Sequence, residues 1–204
     1  MEHIYSKGEG EFKDELFVLF HGTGGNENSL LFLTGELNPY SGVLSFLGNV
    51  GKGESRRFFN PLVDNKLDKE DLSRRVDSFL EIWDKMEITK DKKLIFIGYS
   101  NGANFILGIL QKSPDIAYRT LLLHPAYLDW KFETIPQRNR IVATVGASDM
   151  ISPAAGIIKL EKEFKDAGYR HFKTLLLDGG HGIYDEEVKK LKKIYRNEIM
   201  MNKN

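Results

Sequence analysis

A chain of 204 residues has the length of one ordinary domain, enough to bury roughly 70% of its unfolded surface and hold a core without staples. It contains no cysteine, which excludes disulfides, thiolate zinc sites and a thiol nucleophile and suits a reducing cytoplasm. Lysine plus arginine and aspartate plus glutamate both number 29, so the formal charge is zero and nothing favours a nucleic-acid partner.

The N-terminal stretch MEHIYSKGEGEFKDE has no apolar segment of the kind a signal peptide needs, and no run approaches membrane-span length. A single domain over residues 1–204 is expected, with no membrane insertion. Short, continuous apolar runs follow at 16–20, 43–47, 94–97, 120–123, 141–145 and 172–177. Runs without polar alternation predict strands buried on both faces, as in a parallel sheet. Helical spacing lies between most of them. It is clearest over 68–86, where Leu72, Val76, Phe79, Leu80 and Trp83 recur every three or four residues behind Asp68, an N-cap candidate. Further helices are predicted over 101–111, 153–167 and 185–197. Strands alternating with helices imply right-handed βαβ units and a doubly wound α/β sheet.

Two connections break the rhythm. Residues 49–66 are rich in glycine and charge and read as a long loop, while 125–138 carry prolines and no helical period. Both leave the C-terminal ends of predicted strands, the edge at which open α/β sheets bind ligands. The lysine-rich last helix reads as a solvated face on a packed element.

The candidate chemistry lies at the same edge. Gly98-Tyr99-Ser100-Asn101-Gly102 matches G-x-S-x-G between a strand and a helix, the pattern of a nucleophile elbow. The glycines remove the Cβ atoms that a sharp turn would crowd, and Ser100 then projects over a helix N-terminus. A serine needs a base. Of five histidines only His171 and His181 lie far enough downstream, and His171 precedes its strand, at the wrong edge. His181, in the flexible DGGHGI loop, is the expected base. Asp149, just past the strand 141–145, is the expected acid, with Asp178 as rival because it lies only three residues before His181. The segment LFHGTGGNEN at 19–28 suits an oxyanion loop, with Thr23 and Asn101 as the two N–H donors. His21 reads as a loop-ordering residue. Phe58 and Phe59 are candidate walls of the substrate pocket, as is Met150; His124, Tyr127 and Trp130 read as packing more than specificity.

HGTGGNE, RRFF, GYSNGAN, GASDMISP and DGGHGI together resemble the phospholipase/carboxylesterase branch of the α/β-hydrolases, and small bacterial carboxylesterases of the hydroquinone-stress type in particular. The resemblance runs from Leu19 to His181. It implies an α/β-hydrolase fold with a mostly parallel sheet of about six to seven strands, helices on both faces, and minimal or no cap. It carries Ser100 as nucleophile, Asp149 as acid, His181 as base, and Thr23 with Asn101 as oxyanion donors. The chain is also similar to acyl-protein thioesterases and dienelactone hydrolases, but the latter use a cysteine nucleophile that this sequence lacks, which argues against that activity. The expectation is a serine carboxylesterase for small to medium acyl esters, with thioesters within reach. It needs no cofactor or metal and acts on a small-molecule ester as a monomer or homodimer. A noncatalytic small-molecule-binding protein on the same scaffold and an amide or peptide hydrolase are the alternatives.

Overall fold

The computed structural model describes residues 1–201, with side chains through residue 197. The elements in chain order are β1 (His3–Ser6), β2 (Glu15–Phe20), α1 (Leu31–Leu37), β3 (Gly42–Phe46), α2 (Lys69–Trp83), β4 (Lys93–Tyr99), α3 (Asn101–Lys112), β5 (Arg119–Leu123), β6 (Arg140–Gly146), α4 (Ala154–Asp166), β7 (Phe172–Leu177) and α5 (Asp185–Met201). The seven strands form one sheet in the order β1-β3-β2-β4-β5-β6-β7, parallel throughout except for the edge strand β1. This is the α/β-hydrolase fold, doubly wound about β2 and β4.

The continuous apolar runs are explained by burial on both faces. All six residues of β2 are buried. Leu16, Val18 and Phe20 join the core under α2, α3 and α4, whereas Phe17 and Leu19 join the core under α1 and α5. Phe20 sits in an aromatic cluster with Phe46, Phe58, Phe79, Phe96 and Phe105, at centroid distances of 5.4–5.9 Å. Such pairs add about 0.5–1.5 kcal/mol each beyond their buried area, and here they clamp the strand ends that carry the site. α2 starts where its cap predicts: the Asp68 carboxylate accepts from the Asp71 N–H at 2.9 Å.

Two elements depart from the sequence expectation. β1 pairs antiparallel with β3 from His3–Phe46 to Ser6–Val43. All four of its side chains are exposed, so it lacks the apolar pattern that marks the other strands. α1 has only seven residues, with Gly35 among them, and packs through Leu33 and Leu37. The two irregular connections match expectation. Residues 49–66 hold only a 3₁₀ turn and isolated bridges, and no helix joins β5 to β6. That second loop is fastened to its surroundings instead. The Gln111 side chain donates to the Lys131 carbonyl at 2.6 Å, and the Asp115 carboxylate accepts from the N–H groups of Gln137, Arg138 and Asn139.

Candidate active site

Ser100 stands between β4 and α3 with φ 51° and ψ −111°, a backbone state that costs about 1–3 kcal/mol for a residue other than glycine. The surroundings enforce it. The Ser100 N–H donates to the Leu123 carbonyl at 2.8 Å and its own carbonyl accepts from Asn104 N–H at 3.0 Å. The flanking glycines are required by contact: a Cβ on Gly102 would lie 2.1 Å from the Phe20 carbonyl oxygen, and one on Gly98 would lie 2.7 Å from the backbone of Gly102 and Ala103. β4, β2 and α3 thus close to a distance that side chains at 98 and 102 would forbid.

The loops after β6 and β7 bring two further groups to this serine. Ser100 Oγ lies 2.8 Å from His181 Nε2, and His181 Nδ1 lies 2.8 Å from Asp149 Oδ2. The other carboxylate oxygen, Oδ1, accepts from the N–H groups of Ile151 and Ser152 at 2.9 and 2.8 Å. Burial pushes the Asp149 carboxyl up, but the Ser152 N–H and the two imidazoles beside it hold it below the usual carboxylate range. The His181 carbonyl accepts from Tyr99 O–H at 2.7 Å, which pins the glycine-rich loop to the elbow. The rival Asp178 is exposed and makes none of these contacts.

A fourth residue joins the group, one that reads from sequence as packing more than specificity. His124, at the end of β5 and 1% exposed, places Nδ1 3.1 Å from Asp149 Oδ2 and Nε2 3.2 Å from Glu187 Oε2. Burial lowers its proton affinity, but Glu187 first and Asp149 second more than reverse this and raise it above the ordinary imidazole value. The only sequence signal was a histidine at a strand end on the ligand-binding edge; its partner Glu187 lies 63 residues downstream, in a helix that reads as solvated. His124, Asp149 and His181 bring three donor atoms within 4.8 Å, a spacing compatible with a metal ion. All of these atoms are already joined by hydrogen-bond contacts, and the group reads as a hydrogen-bonded chain.

On the opposite flank, at the end of β2, His21 orders the 21–25 loop. Its Nδ1 meets the Gly22 carbonyl at 2.6 Å, and its Nε2 accepts from Gly48 N–H at 2.9 Å. Burial depresses its proton affinity, partly opposed by the Gly22 contact. This arrangement calls for the neutral tautomer with the proton on Nδ1. Thr23 follows, and with Ser100 and Asn101 it lines a cavity of about 200 Å³. Asn101 opens α3, so its N–H is among those a helix start leaves without an intrahelical acceptor. Its side-chain oxygen accepts from Phe58 N–H at 2.8 Å, joining the 49–66 loop to the elbow.

The expected pocket walls sort differently. Phe59 lines the cavity, together with Arg57, Leu62 and Ile151. Phe58 does not: it is fully buried, stacked on Phe105 and packed against His21. Met150 is 91% exposed and does not line the cavity, while its neighbour Ile151 takes the wall position. The turn explains the swap, because Asp149 Oδ1 captures the N–H groups of 151 and 152 and folds that segment inward. Larger cavities of about 290 and 380 Å³ flank Trp130. Neither includes Ser100, His181 or Asp149, so the chemistry assigns the site to the smaller cavity.

Known proteins resemble this chain in sequence and in fold. The profile of the dienelactone hydrolase family matches residues 48–198. A protein described as putative hydrolase MhqD, from Bacillus subtilis (strain 168), is 29% identical over 205 residues, covering 98% of this chain and 100% of that protein. A crystal structure of a Bacillus cereus carboxylesterase superimposes with a TM-score of 0.82 at 29% identity, over 97% of this chain and 94% of that one. An acyl-protein thioesterase 2 from Zea mays shares the fold at a TM-score of 0.75 and 16% identity, over 96% and 98% of the two chains.

Proposed function

Because this chain belongs to the dienelactone hydrolase family and is a hydrolase of the esterase type, we propose that it is a serine carboxylesterase working through Ser100, His181 and Asp149. The observation that carries the reading is the unbroken chain of 2.8 Å contacts from Ser100 Oγ through the His181 ring to Asp149. His181 Nε2 accepts the Ser100 proton as Oγ attacks the ester carbonyl, and Asp149 holds Nδ1–H and stabilises the imidazolium that forms. The Thr23 and Asn101 N–H groups receive the oxyanion, aided by the positive end of α3. His181 returns the proton to the departing alkoxide, and water then releases the acid from the acyl-enzyme by the same route. The residues themselves supply nucleophile, base and oxyanion donors, so the scheme calls for no cofactor.

The cavity of about 200 Å³ lies below the roughly 300–1,000 Å³ of sites that enclose drug-sized ligands. Small to medium acyl esters are therefore the proposed substrates, with thioesters open to the same attack. Leu62 and Ile151 give the acyl group an apolar surface, and Arg57 borders the mouth.

The test is a chain-length series of p-nitrophenyl esters and matched thioesters, with fluorophosphonate labelling, on the wild type and Ser100→Ala. The variant is expected to lose turnover and labelling together, with rates in the wild type falling for long acyl chains. Labelling that survives in Ser100→Ala sinks the assignment. Silence of the wild type toward every ester would favour a binding protein on this scaffold instead.

A further inference from the structure

Asp149 accepts from four directions. Two backbone N–H groups hold Oδ1, and two imidazoles share Oδ2. Only one of those imidazoles reaches Ser100. The other, His124, is backed by Glu187, which is 1% exposed and projects from α5. Glu187 Oε1 is buried with no hydrogen-bond partner among the described residues, so the contact of Oε2 with His124 is the carboxylate's one polar link there.

The proton count is constrained by geometry. Both His124 nitrogens face carboxylate oxygens, at 3.1 and 3.2 Å. A neutral imidazole has one N–H. With both carboxylates ionised, one ring lone pair would point at an anionic oxygen in a buried site. Both contacts become hydrogen bonds only when the pair carries one more proton, on His124 as imidazolium or on Glu187 as an acid donating to Nε2. In either form Nδ1–H donates to Asp149. The other titratable groups that face His124 are His181, with ring centroids 5.5 Å apart, and Tyr99, at 6.1 Å from the end of β4. Tyr184 adds its field through Tyr99, whose hydroxyl is held protonated by burial and by Asp149 and Glu187.

We propose that Glu187 and His124 form a positioning pair for Asp149, holding one proton between them so that His124 keeps an N–H on Oδ2, and that activity declines at alkaline pH as this proton leaves to solvent. The inference rests on the reading of Ser100, His181 and Asp149 as the reacting chain. His124 and Glu187 touch no substrate; they act through the carboxylate that orients the base. When the proton leaves, Asp149 and Glu187 compete for a single N–H. The loser is a buried carboxylate stripped of a donor, and the arrangement that aligns His181 relaxes.

Three variants and the wild type test this, with kcat and KM measured on a short aryl ester across pH. His124→Phe fills the space and removes both contacts; kcat is expected to fall about 10–100-fold, the loss of a hydrogen bond to a charged group, with KM within about 2-fold. Glu187→Gln presents an amide N–H to Nε2, so a neutral His124 can serve both neighbours without the extra proton. Its kcat at neutral pH is expected to fall less than that of His124→Phe, and its alkaline limb to move up by about one pH unit or more. A wild-type profile that stays flat until the fold itself melts overturns the proposal, and so does a Glu187→Gln profile that superimposes on it. If His124→Phe fails to fold, the Glu187→Gln comparison decides alone. Ser100→Ala separates the two readings: turnover surviving there removes the reacting chain, whereas an inactive Ser100→Ala with wild-type profiles for the other variants removes only the positioning pair.

Discussion

Two buried histidines stand at strand ends on either side of the Ser100 strand, and they have opposite surroundings. His21, after β2, is satisfied by two backbone groups and is held neutral, its proton affinity depressed first by burial. His124, after β5, lies between two carboxylates that raise its proton affinity despite similar burial. The backbone-held flank shapes the loop that carries Thr23, while the carboxylate-held flank places an imidazole against the Asp149 carboxylate. Residue type and depth are the same; what differs is whether the partners carry charge. The signs of linkage differ too. A lowered imidazole contributes stability that is present above its unfolded value and lost as pH falls, whereas a raised one contributes stability present below its unfolded value and lost as pH rises.

The comparison breaks most sharply at Asp149. Asp149→Asn keeps the shape of the carboxylate-held flank but removes its charge and disturbs the tautomer of His181. A fall in kcat of about 10⁴ is expected in steady-state ester hydrolysis, against a modest change in melting temperature. On the other flank, His21→Phe leaves Gly48 N–H without its acceptor. It is expected to cost about 1–3 kcal/mol, or about 2–4 °C of melting temperature per kcal/mol. Urea titrations at two pH values sharpen the contrast: this variant should lose less stability than the wild type as pH falls below about 6.5, because the depressed imidazole is gone. The smallest effect belongs to Met150→Ala. Adjacent to the acid but exposed, it should change stability by less than about 0.5 kcal/mol and leave KM for short esters unmoved.

Much of the fold is legible before any coordinates, because a strand buried on both faces cannot hide its apolar run and α2 announces both its cap and its face. β1 is not legible, since its exposed residues His3 to Ser6 carry no pattern. The meeting of Ser100, Asp149 and His181 is legible because each follows a readable strand, so chain order places all three at one edge. Phe58, Met150 and His124 are another matter. They sit in or beside loops, where no period says which way a side chain points. A hydrogen bond from Phe58 N–H to Asn101, a turn about Asp149 beside Met150, and two carboxylates around His124 settle these places, and none leaves a trace in local composition. Glu187 reads as one more solvated acid on a charged helix; only tertiary packing buries it.

The missing helix between β5 and β6 has a consequence for how this enzyme can change. Residues 125–138 contribute Ala126 and Leu128 to the cavity beside Ser100, and Leu128 also borders the larger hollow by Trp130. One wall of the site is therefore made of irregular chain fixed at a few points, Ala126 N–H to the Asn104 side chain and the Lys131 carbonyl to Gln111 among them. Lengthening such a loop costs little, about 0.6 kcal/mol for each doubling. Insertions between those points can extend the cavity beside Ser100 toward Trp130 while the strands, the elbow and the network from Ser100 to Glu187 remain as they are. Length can vary between the fixed points of this connection, whereas Trp130, which the same stretch buries in the main core, has to stay where it is.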